Sequence, residues 1–278
     1  MKYKIVSDSS SNIFTLSGVE YQSVPLKIIS KEKEYVDEPG LDVSKMVSEL
    51  SRLKKGAKTS CPNVFEWMDA FKGAENVFAV TITSGLSGSY SSALQAKEQY
   101  KKENPNVKIL VIDSLSTGPE MELIIEKLQE YIALELSFEE IKEKITEYQR
   151  STNLLVSLQS LDNLAKNGRV SAAVAKLAGV LGIRVIGEAT KDGVLKSIHK
   201  SRGEKKALET IFEEMKSRGY KGGKVRMSHC DNIESAETLK NMILKKFKKA
   251  NIKIRECTAL CSFYAEKGGL LVGFEDSL

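Results

Sequence analysis

The chain has 278 residues, of which 41% are hydrophobic and 28% are charged, and its formal net charge is +5. This length suits two domains of a soluble globular protein, and no apolar run reaches the roughly 20 residues that a membrane-spanning helix needs. The N-terminus has the pattern of a strand and not of a signal peptide, so we expect a cytoplasmic protein.

The mild positive charge does not predict nucleic-acid binding, because the lysine-rich helix face lacks a dense basic stripe with interleaved aromatic residues. That face, Lys245–Lys249, suits an acidic partner protein or a transient contact with an anionic membrane equally well. The four cysteines form no disulfide framework. Cys257 and Cys261 alone are a weak metal signal, so we expect buried thiols and no metal or cofactor.

Strands alternate with amphipathic helices in the first half of the chain. The predicted elements are a strand at Tyr3–Val6, helices after Asp42 and from Pro62, a strand at Val77–Ile82, a helix after Ser89, a strand at Lys108–Ile112, and helices after Pro119 and Ser137. This alternation predicts a parallel sheet covered by helices on both faces, an α/β/α sandwich.

The pattern changes near Ser151. The predicted elements are now a strand at Leu154–Leu158, a small-residue helix at Ala172–Leu181, a hairpin of Ile183–Ile186 and Val194–Ile198, helices at about Ser201–Lys216 and Ile233–Lys248, and strands at Lys224–Ser228, Ile252–Cys257 and Gly269–Phe274. They indicate a mixed sheet with helices on one face, a two-layer α/β domain. We therefore predict α/β domains at residues 1–150 and 151–278.

Two Ser/Thr-rich loops, Lys58–Pro62 and Ser84–Ser89, are each expected to lead into a helix. The free N–H groups of a helix N-terminus favour an anion, and hydroxyls and close-fitting glycines add donors there. The second loop also follows a parallel strand, where ligands of α/β sheets bind. Serine and threonine before helices are also ordinary N-caps. Two such loops together indicate a site for a small anionic head group.

Two arginines leave alternatives open. Ser201 and Glu204 have the spacing of a capping box, which places Arg202 in the first turn of a helix. A cation there opposes the helix dipole, which favours an arginine that faces an anion over one that points into solvent. Arg169, after Gly168, is equally ambiguous.

A serine nucleophile at Ser87 is the rival interpretation. Gly85-Leu86-Ser87-Gly88-Ser89 is similar to a nucleophile elbow but lacks its final glycine. His229 could act as the base, although an ordinary histidine at a strand end explains it as well. No P-loop or dinucleotide-binding fingerprint is present.

Several motifs together resemble the bacterial DegV family, in the order in which that family has them. They are Val6-Ser7-Asp8-Ser9-Ser10, Val24-Pro25-Leu26, Tyr35-Val36-Asp37, Lys58-Thr59-Ser60-Cys61-Pro62, Leu86-Ser87-Gly88-Ser89-Tyr90, Val111-Ile112-Asp113-Ser114, Gly168-Arg169-Val170-Ser171 and Arg202-Gly203. Each motif is weak alone, but the ordered set spans nearly the whole chain.

The resemblance implies a non-enzymatic two-domain protein that holds one long-chain fatty acid, such as palmitate, in a tunnel. The oligomeric state does not follow from the resemblance, and we expect a monomer. It places the carboxylate at Thr59 and Ser87, with help from the Ser60 hydroxyl and the Gly88 amide. Arg202 falls near the head group. The resemblance also implies that the protein presents the lipid to a separate ATP-binding kinase, which forms an acyl-phosphate. The tunnel lining is not predicted; residues 170–181 fit it and a plain core helix equally.

One segment departs from the family pattern. The resemblance calls for a glycine-rich run with a histidine, where this chain has Cys261–Gly269, and Tyr264 takes the place of that histidine. A tyrosine, with a reference pKa of about 10, stays neutral at pH 7 and still donates a hydrogen bond to a carboxylate. We therefore expect Tyr264 at the head group with Ser262 near it, and less support for phosphoryl transfer.

Overall fold

A computed structural model describes residues 2–53, 56–176 and 182–276. The elements up to residue 150 are β1 (Tyr3–Asp8), β2 (Glu20–Val24), β3 (Lys27–Ile29), β4 (Glu34–Val36), α1 (Val43–Ser51), β5 (Lys58–Ser60), α2 (Val64–Phe71), β6 (Asn76–Thr81), α3 (Ser89–Glu103), β7 (Lys108–Asp113), α4 (Pro119–Ala133) and α5 (Phe138–Tyr148). They are followed by β8 (Thr152–Leu158), α6 (Asp162–Lys166), α7 (Ala172–Ala175), β9 (Ile183–Ala189), β10 (Leu195–Arg202), α8 (Glu204–Ser217), β11 (Lys224–His229), α9 (Ile233–Lys246), β12 (Asn251–Glu256), α10 (Ala259–Ala265) and β13 (Leu270–Glu275).

The first large sheet is parallel, as predicted, with strand order β2-β1-β6-β7. Strands β1, β6 and β7 contain apolar runs because both faces of the sheet are buried there, whereas the edge strand β2 is mostly polar and partly exposed. One face packs on α4 and α5 through Phe78, Ile124 and Ile141. The other packs on α2 and α3 through Trp67 and Ala93. This is the predicted α/β/α sandwich.

The second large sheet is mixed, as predicted, with order β10-β9-β8-β13-β11-β12. Only β11 and β12 run parallel; the other neighbours are antiparallel. Helices α8 and α9 cover one face through a core that includes Leu155, Ile211 and Leu239. Part of the opposite face packs against α4, so this helix lies between the two sheets.

Helix α10 also joins the two halves of the chain. Ala259 and Phe263 belong to a small core with Ile28, Tyr35 and Met46 from the three-stranded sheet β4-β3-β5 and α1. The large sheets draw their strands from residues 3–113 and 152–275. The domain division at residue 150 stays a prediction.

Two local predictions are wrong, and a third lies partly outside the described residues. Lys58–Ser60 is a short strand paired with β3 and not a helix-leading loop, and the following helix begins at Val64 with Asn63 as its cap, not at Pro62. Arg202 ends β10, since α8 begins only at Glu204 after Gly203, whose φ of +79° turns the chain directly from strand to helix. The predicted helix at Ala172–Leu181 is described only over Ala172–Ala175; residues 177–181 lie outside the described part.

Within the described ranges, no helix combines the length and the hydropathy that crossing a bilayer requires.

Candidate functional site

A cavity lies between the two large sheets, closed on one side by α10. The space in it that the centre of a water molecule can occupy is about 110 Å³. Its lining is mainly aliphatic: Leu26, Ile82, Leu86, Leu115, Leu154, Val156, Leu158, Leu164, Ala189, Val194, Leu195, Leu260, Ala265 and Leu271. A cavity of this kind suits a ligand that is apolar over most of its length.

Two hydroxyls that are far apart in the sequence meet in the wall of this cavity. Thr59 Oγ1 and Tyr264 Oη lie 2.7 Å apart, and both residues line the cavity. The pairing of β5 with β3 places Thr59 there, and α10 presents Tyr264. Burial raises the pKa of Tyr264, while the hydrogen bond with Thr59 opposes this shift. Tyr264 is therefore a neutral hydroxyl at pH 7, able to donate to an anion.

Ser87 lines the cavity just before α3, whose N-cap is Gly88. Its Oγ accepts a hydrogen bond of 3.3 Å from the N–H of Ser89, the first residue of the helix, but Ser87 is not the N-cap, and no side chain caps α3. The first turn of a helix has N–H groups without helical partners, which adds positive potential beside Ser87. Gly88 fits tightly: a Cβ there would lie 3.3 Å from Cys61 Sγ.

A buried carboxyl anchors this loop from behind. Asp8 Oδ2 accepts hydrogen bonds from Ser89 Oγ (2.6 Å) and from the Ile82 N–H (2.9 Å), and Oδ1 accepts one from Ser10 Oγ. Burial raises the pKa of Asp8 to about 6, although these donors oppose the shift. Asp8 thus ties β1, β6 and α3 together and fixes the loop that carries Ser87.

Arg169 is the charged residue among the described residues that line the cavity. Its Nε donates to the Leu86 carbonyl at 3.1 Å and its Nη1 to the Asn167 carbonyl. Within the described ranges no carboxylate lies within ion-pair distance of it. Its positive charge also opposes the rise in the pKa of Tyr264 and of Cys61. Arg169 therefore adds an uncompensated cation to the polar end of the cavity.

The other predicted site residues lie outside the described cavity lining. Ser60 follows Thr59 in β5, and its hydroxyl donates to the Cys61 carbonyl at 3.3 Å. Ser262 is buried, donates to the Cys257 carbonyl and lines a separate groove beside α10. Arg202 is exposed at the end of the edge strand β10. The structure thus brings Thr59, Ser87 and Tyr264 together.

The serine-nucleophile interpretation finds no base in the described cavity. His229 lines the separate groove, where its Nδ1 accepts from the Asn232 N–H at 3.3 Å, and burial lowers its pKa. His199 is exposed and bonded to Glu214. A serine becomes a strong nucleophile only beside a base, so this site is better suited to binding than to hydrolysis. No metal-binding cluster is found in the described ranges.

Sequence reasoning missed part of this site. The sequence left the role of Arg169 open. Its position in the motif Gly168-Arg169-Val170-Ser171 was the feature that could have indicated a place in the site. Thr83, whose Oγ1 donates to the Gly193 carbonyl at 2.7 Å, connects the β9–β10 turn to the Ser87 loop. No local sequence pattern signals a contact across 110 residues.

Comparisons with known proteins agree on one family. The family model described as "Uncharacterised protein, DegV family" matches residues 2–276. A DegV domain-containing protein of Streptococcus pneumoniae, spr0652, is 42% identical over 279 residues, which cover 99% of each chain.

Two solved structures have the same fold over nearly their whole length. One is a DegV family protein from Eubacterium eligens loaded with heptadecanoic acid (41% identity, TM-score 0.97, 99% of this chain and 100% of that chain). The other is the Streptococcus pneumoniae Fatty Acid Kinase (Fak) B3 protein loaded with linoleic acid (41% identity, TM-score 0.98, 100% of both chains). A DegV protein from Ruminococcus gnavus with vaccenic acid is 28% identical, with a TM-score of 0.91 and coverage of 98% and 99%.

Proposed function

The chain belongs to the DegV family, and we propose that it binds one long-chain fatty acid without forming a covalent bond. The observation that carries this proposal is a cavity with two unlike parts: an aliphatic lining and one polar end with Thr59, Ser87, Tyr264 and Arg169. A fatty acid has the same division. Relatives at 41% identity carry fatty acids of 17 and 18 carbons.

The polar end holds the carboxylate. In this proposal Thr59, Ser87 and Tyr264 donate hydrogen bonds from their hydroxyls, and Arg169 supplies positive charge. Hydrogen bonds to a charged group contribute about 1.5–3 kcal/mol each. The Gly88 amide, next to Ser87, adds a further donor in this proposal, whereas Ser60, Ser262 and Arg202, which lie outside the described cavity lining, have no role in it.

The aliphatic lining holds the acyl chain. Each buried methylene contributes about 0.8 kcal/mol, so a chain of 16 or 18 carbons supplies most of the affinity and the carboxylate contacts set its direction. Palmitate is a suitable test ligand.

Substitution of the carboxylate-binding hydroxyls tests this assignment. Thr59→Val with Ser87→Ala removes two donors while leaving the aliphatic lining intact, so palmitate affinity should fall by about 100-fold or more. Displacement of a fluorescent fatty acid measures it. Ser60→Ala, one residue from Thr59 but outside the described lining, is the matched control. Equal palmitate affinity in the double variant and the unmodified protein would refute the assignment.

We further propose that the protein presents its lipid to an ATP-dependent fatty acid kinase. Support comes from its 41% identity to a protein named for such a kinase. The test mixes palmitate-loaded protein, ATP and the kinase that works with the pneumococcal protein, and measures ADP release. Release that requires both proteins supports presentation. If ADP is released only with the Tyr264→His variant, the unmodified protein carries the fatty acid but does not present it to the kinase.

The proposal also covers the compartment, the oligomeric state and the partners of the protein. We propose a cytoplasmic monomer with no nucleic-acid partner and at most transient contact with membrane surfaces. A single species near 30.8 kDa in light scattering fits the monomer, and a dimer mass would contradict it. Steep salt-dependent retention on DNA would contradict the absence of nucleic-acid binding.

A further inference from the structure

Arg169 reaches the polar end of the cavity from the loop that follows α6. Gly168, whose φ is +74°, lies just after this short helix, and the N–H groups of Gly168 and Arg169 donate to the carbonyls of Ala165 and Leu164, at 2.9 and 2.8 Å. This is a Schellman motif, in which a glycine takes the left-handed conformation and the last carbonyls of the helix gain partners. The end of α6 therefore fixes the backbone of Arg169.

Two backbone carbonyls hold the guanidinium of Arg169. Its Nε donates to the carbonyl of Leu86, the residue before Ser87, at 3.1 Å, and its Nη1 donates to the Asn167 carbonyl. Both partners are neutral, so these hydrogen bonds fix the direction of the guanidinium without neutralising its charge. A guanidinium has five N–H donors, and the others are left for a ligand.

The side chain of Asn167 ties this loop to β5. Its Nδ2 donates to the Asn163 carbonyl at 2.9 Å and to the Ala57 carbonyl at 3.1 Å. The first bond is local to α6, whereas the second joins residues 110 positions apart and reaches the chain two residues before Thr59. The φ of Asn167 is −98°, outside the left-handed region that favours asparagine, so its backbone does not explain the residue type.

The same helix is also bonded to α10. The Asn163 N–H donates to Glu266 Oε1 at 3.0 Å, and Asn163 Nδ2 donates to the carbonyl of Phe263, the residue before Tyr264, at 2.9 Å. Helix α6 and the loop after it are thus hydrogen bonded to all three segments that carry the carboxylate-binding hydroxyls.

From these contacts we propose that Asn167 is a positioning residue for carboxylate binding: its side chain holds the Arg169 loop against β5, so that the guanidinium faces the carboxylate. The inference rests on the proposed function and names the residue that holds its cation in place. Asn167 lies outside the described cavity lining. Its effect therefore reaches the ligand through the charge of Arg169 and is absent for a ligand without a carboxylate.

The test compares dissociation constants for palmitate and for hexadecanol, which has the same chain length and no charge, by displacement of a fluorescent fatty acid. In Asn167→Ala, palmitate should bind about fivefold more weakly, the effect of one hydrogen bond, and hexadecanol as tightly as before. Arg169→Met should weaken palmitate binding about tenfold or more, because it removes a charged partner. Adding Asn167→Ala to Arg169→Met should cause no further loss.

Asn167→Ser separates the two hydrogen bonds of this side chain. A serine hydroxyl is a single donor, which can bond to the Asn163 carbonyl one helical turn earlier and leaves the Ala57 carbonyl without this partner. This variant should therefore lose palmitate affinity as Asn167→Ala does, while the end of α6 keeps its local hydrogen bond.

Asn104→Ala is the matched control. Asn104 follows α3 as Asn167 follows α6, and its Nδ2 donates to the Tyr100 carbonyl four residues earlier at 3.1 Å, outside the cavity lining. The control should leave both dissociation constants unchanged.

Three results would overturn the inference: equal losses for palmitate and hexadecanol in Asn167→Ala, a further loss in the Arg169→Met background, or full palmitate affinity in Asn167→Ser. Failure of palmitate to bind the unmodified protein would instead overturn the proposed function.

Discussion

One face of the six-stranded sheet is divided into two unlike halves. Over β8, β9 and β10 it presents Leu154, Val156, Ala189 and Leu195 to the cavity. Over β11 and β12 the sheet presents four cationic side chains to α4. Three glutamates of α4, spaced one helical turn apart, form ion pairs with them. The pairs are Lys224 with Glu130, Arg226 and Lys253 with Glu126, and Arg255 with Glu122. We call this second half the ionic seam.

The two halves differ in how strictly their contacts determine the positions of the groups that pack on them. An aliphatic surface is non-directional, so the cavity half tolerates an open space that a ligand can fill. Buried ion pairs depend on geometry: Arg226, 1% exposed, donates to Glu126 from both Nε and Nη2 and to the Val225 and Asn251 carbonyls. Such pairs add little net stability over apolar packing, but breaking one is severe. We infer that the seam sets the position of α4 against the sheet, and so keeps the neighbouring cavity open.

The largest expected effect comes from breaking the seam at its buried centre. Arg226→Met leaves Glu126 buried with less compensation and should lower the free energy of unfolding by about 3–5 kcal/mol. Denaturant unfolding measures it. Lys253→Met removes a second, 54% exposed partner of the same glutamate, and should cost at most about 1 kcal/mol. Equal losses in the two variants would show that burial does not govern the seam.

The next effect is a pH dependence at the boundary between the halves. Because burial raises the pKa of Glu120 to about 7, the folded protein holds this proton more tightly than the unfolded chain does. Glu120 therefore stabilises the fold below pH 4.5, and this contribution, about 3 kcal/mol, is lost as the pH rises through 7. Glu120→Gln should flatten the stability profile between pH 5 and 8. An unchanged slope would contradict the assignment.

Glu126 in the seam should behave in the opposite sense. Burial alone would raise its pKa, but hydrogen bonds from Arg226 and Lys253 outweigh burial and lower the pKa below its usual value. Its contribution is present above pH 4.5 and is lost as the pH falls through the lowered pKa. Glu126→Gln should remove this acid-side loss of stability. Thermal unfolding monitored from pH 3 to 6 tests this, and an unchanged acid limb would contradict it.

A substitution in the cavity half should change binding more than stability. Ala189→Phe places a phenyl group in the space that we assign to the acyl chain. Displacing about three methylenes at 0.8 kcal/mol each weakens palmitate binding roughly 50-fold. Isothermal titration measures this loss, with the ligand-free melting temperature as control. Full affinity in the variant would place the acyl chain elsewhere.

The smallest expected effect is at the polar end. Tyr264→Phe removes one hydroxyl and should weaken palmitate binding about tenfold, near the lower end of the effect of one hydrogen bond to a charged group. Because Tyr264 stays neutral, this loss should not vary between pH 6 and 8. Tyr264→His should instead bind more tightly below about pH 6.5, where imidazole gains charge. A pH-dependent loss in Tyr264→Phe would show that another group near the carboxylate titrates.

The same contrast explains what the sequence could predict. Helices α4 and α5 were predicted at the correct start because Pro119 and the Ser137–Glu140 capping box act locally. The parallel sheet followed from the alternation of strands and helices. The meeting of Thr59 with Ser87 near Tyr264 rested on the family resemblance, and the structure places all three in one cavity lining.

The rest depends on contacts that are distant in sequence. The three residues of β5 become a strand only because β3 pairs with them. The ionic seam could not be predicted from the sequence. Its cations alternate along β11 and β12 and its glutamates are four residues apart in α4, and both patterns are typical of solvent-exposed faces. Arg202 was misplaced because a capping-box spacing is ambiguous when a strand runs directly into a helix through a glycine.

The central claim is that the cavity holds a fatty acid, and the protein purified from a bacterial host tests it most directly. Denaturing extraction followed by mass spectrometry of the organic phase measures the bound lipid. We predict close to one fatty acid of 16 or 18 carbons per chain, and much less in the variant with Thr59→Val and Ser87→Ala. No lipid in the extract, and none taken up on incubation with palmitate or oleate, would contradict the account.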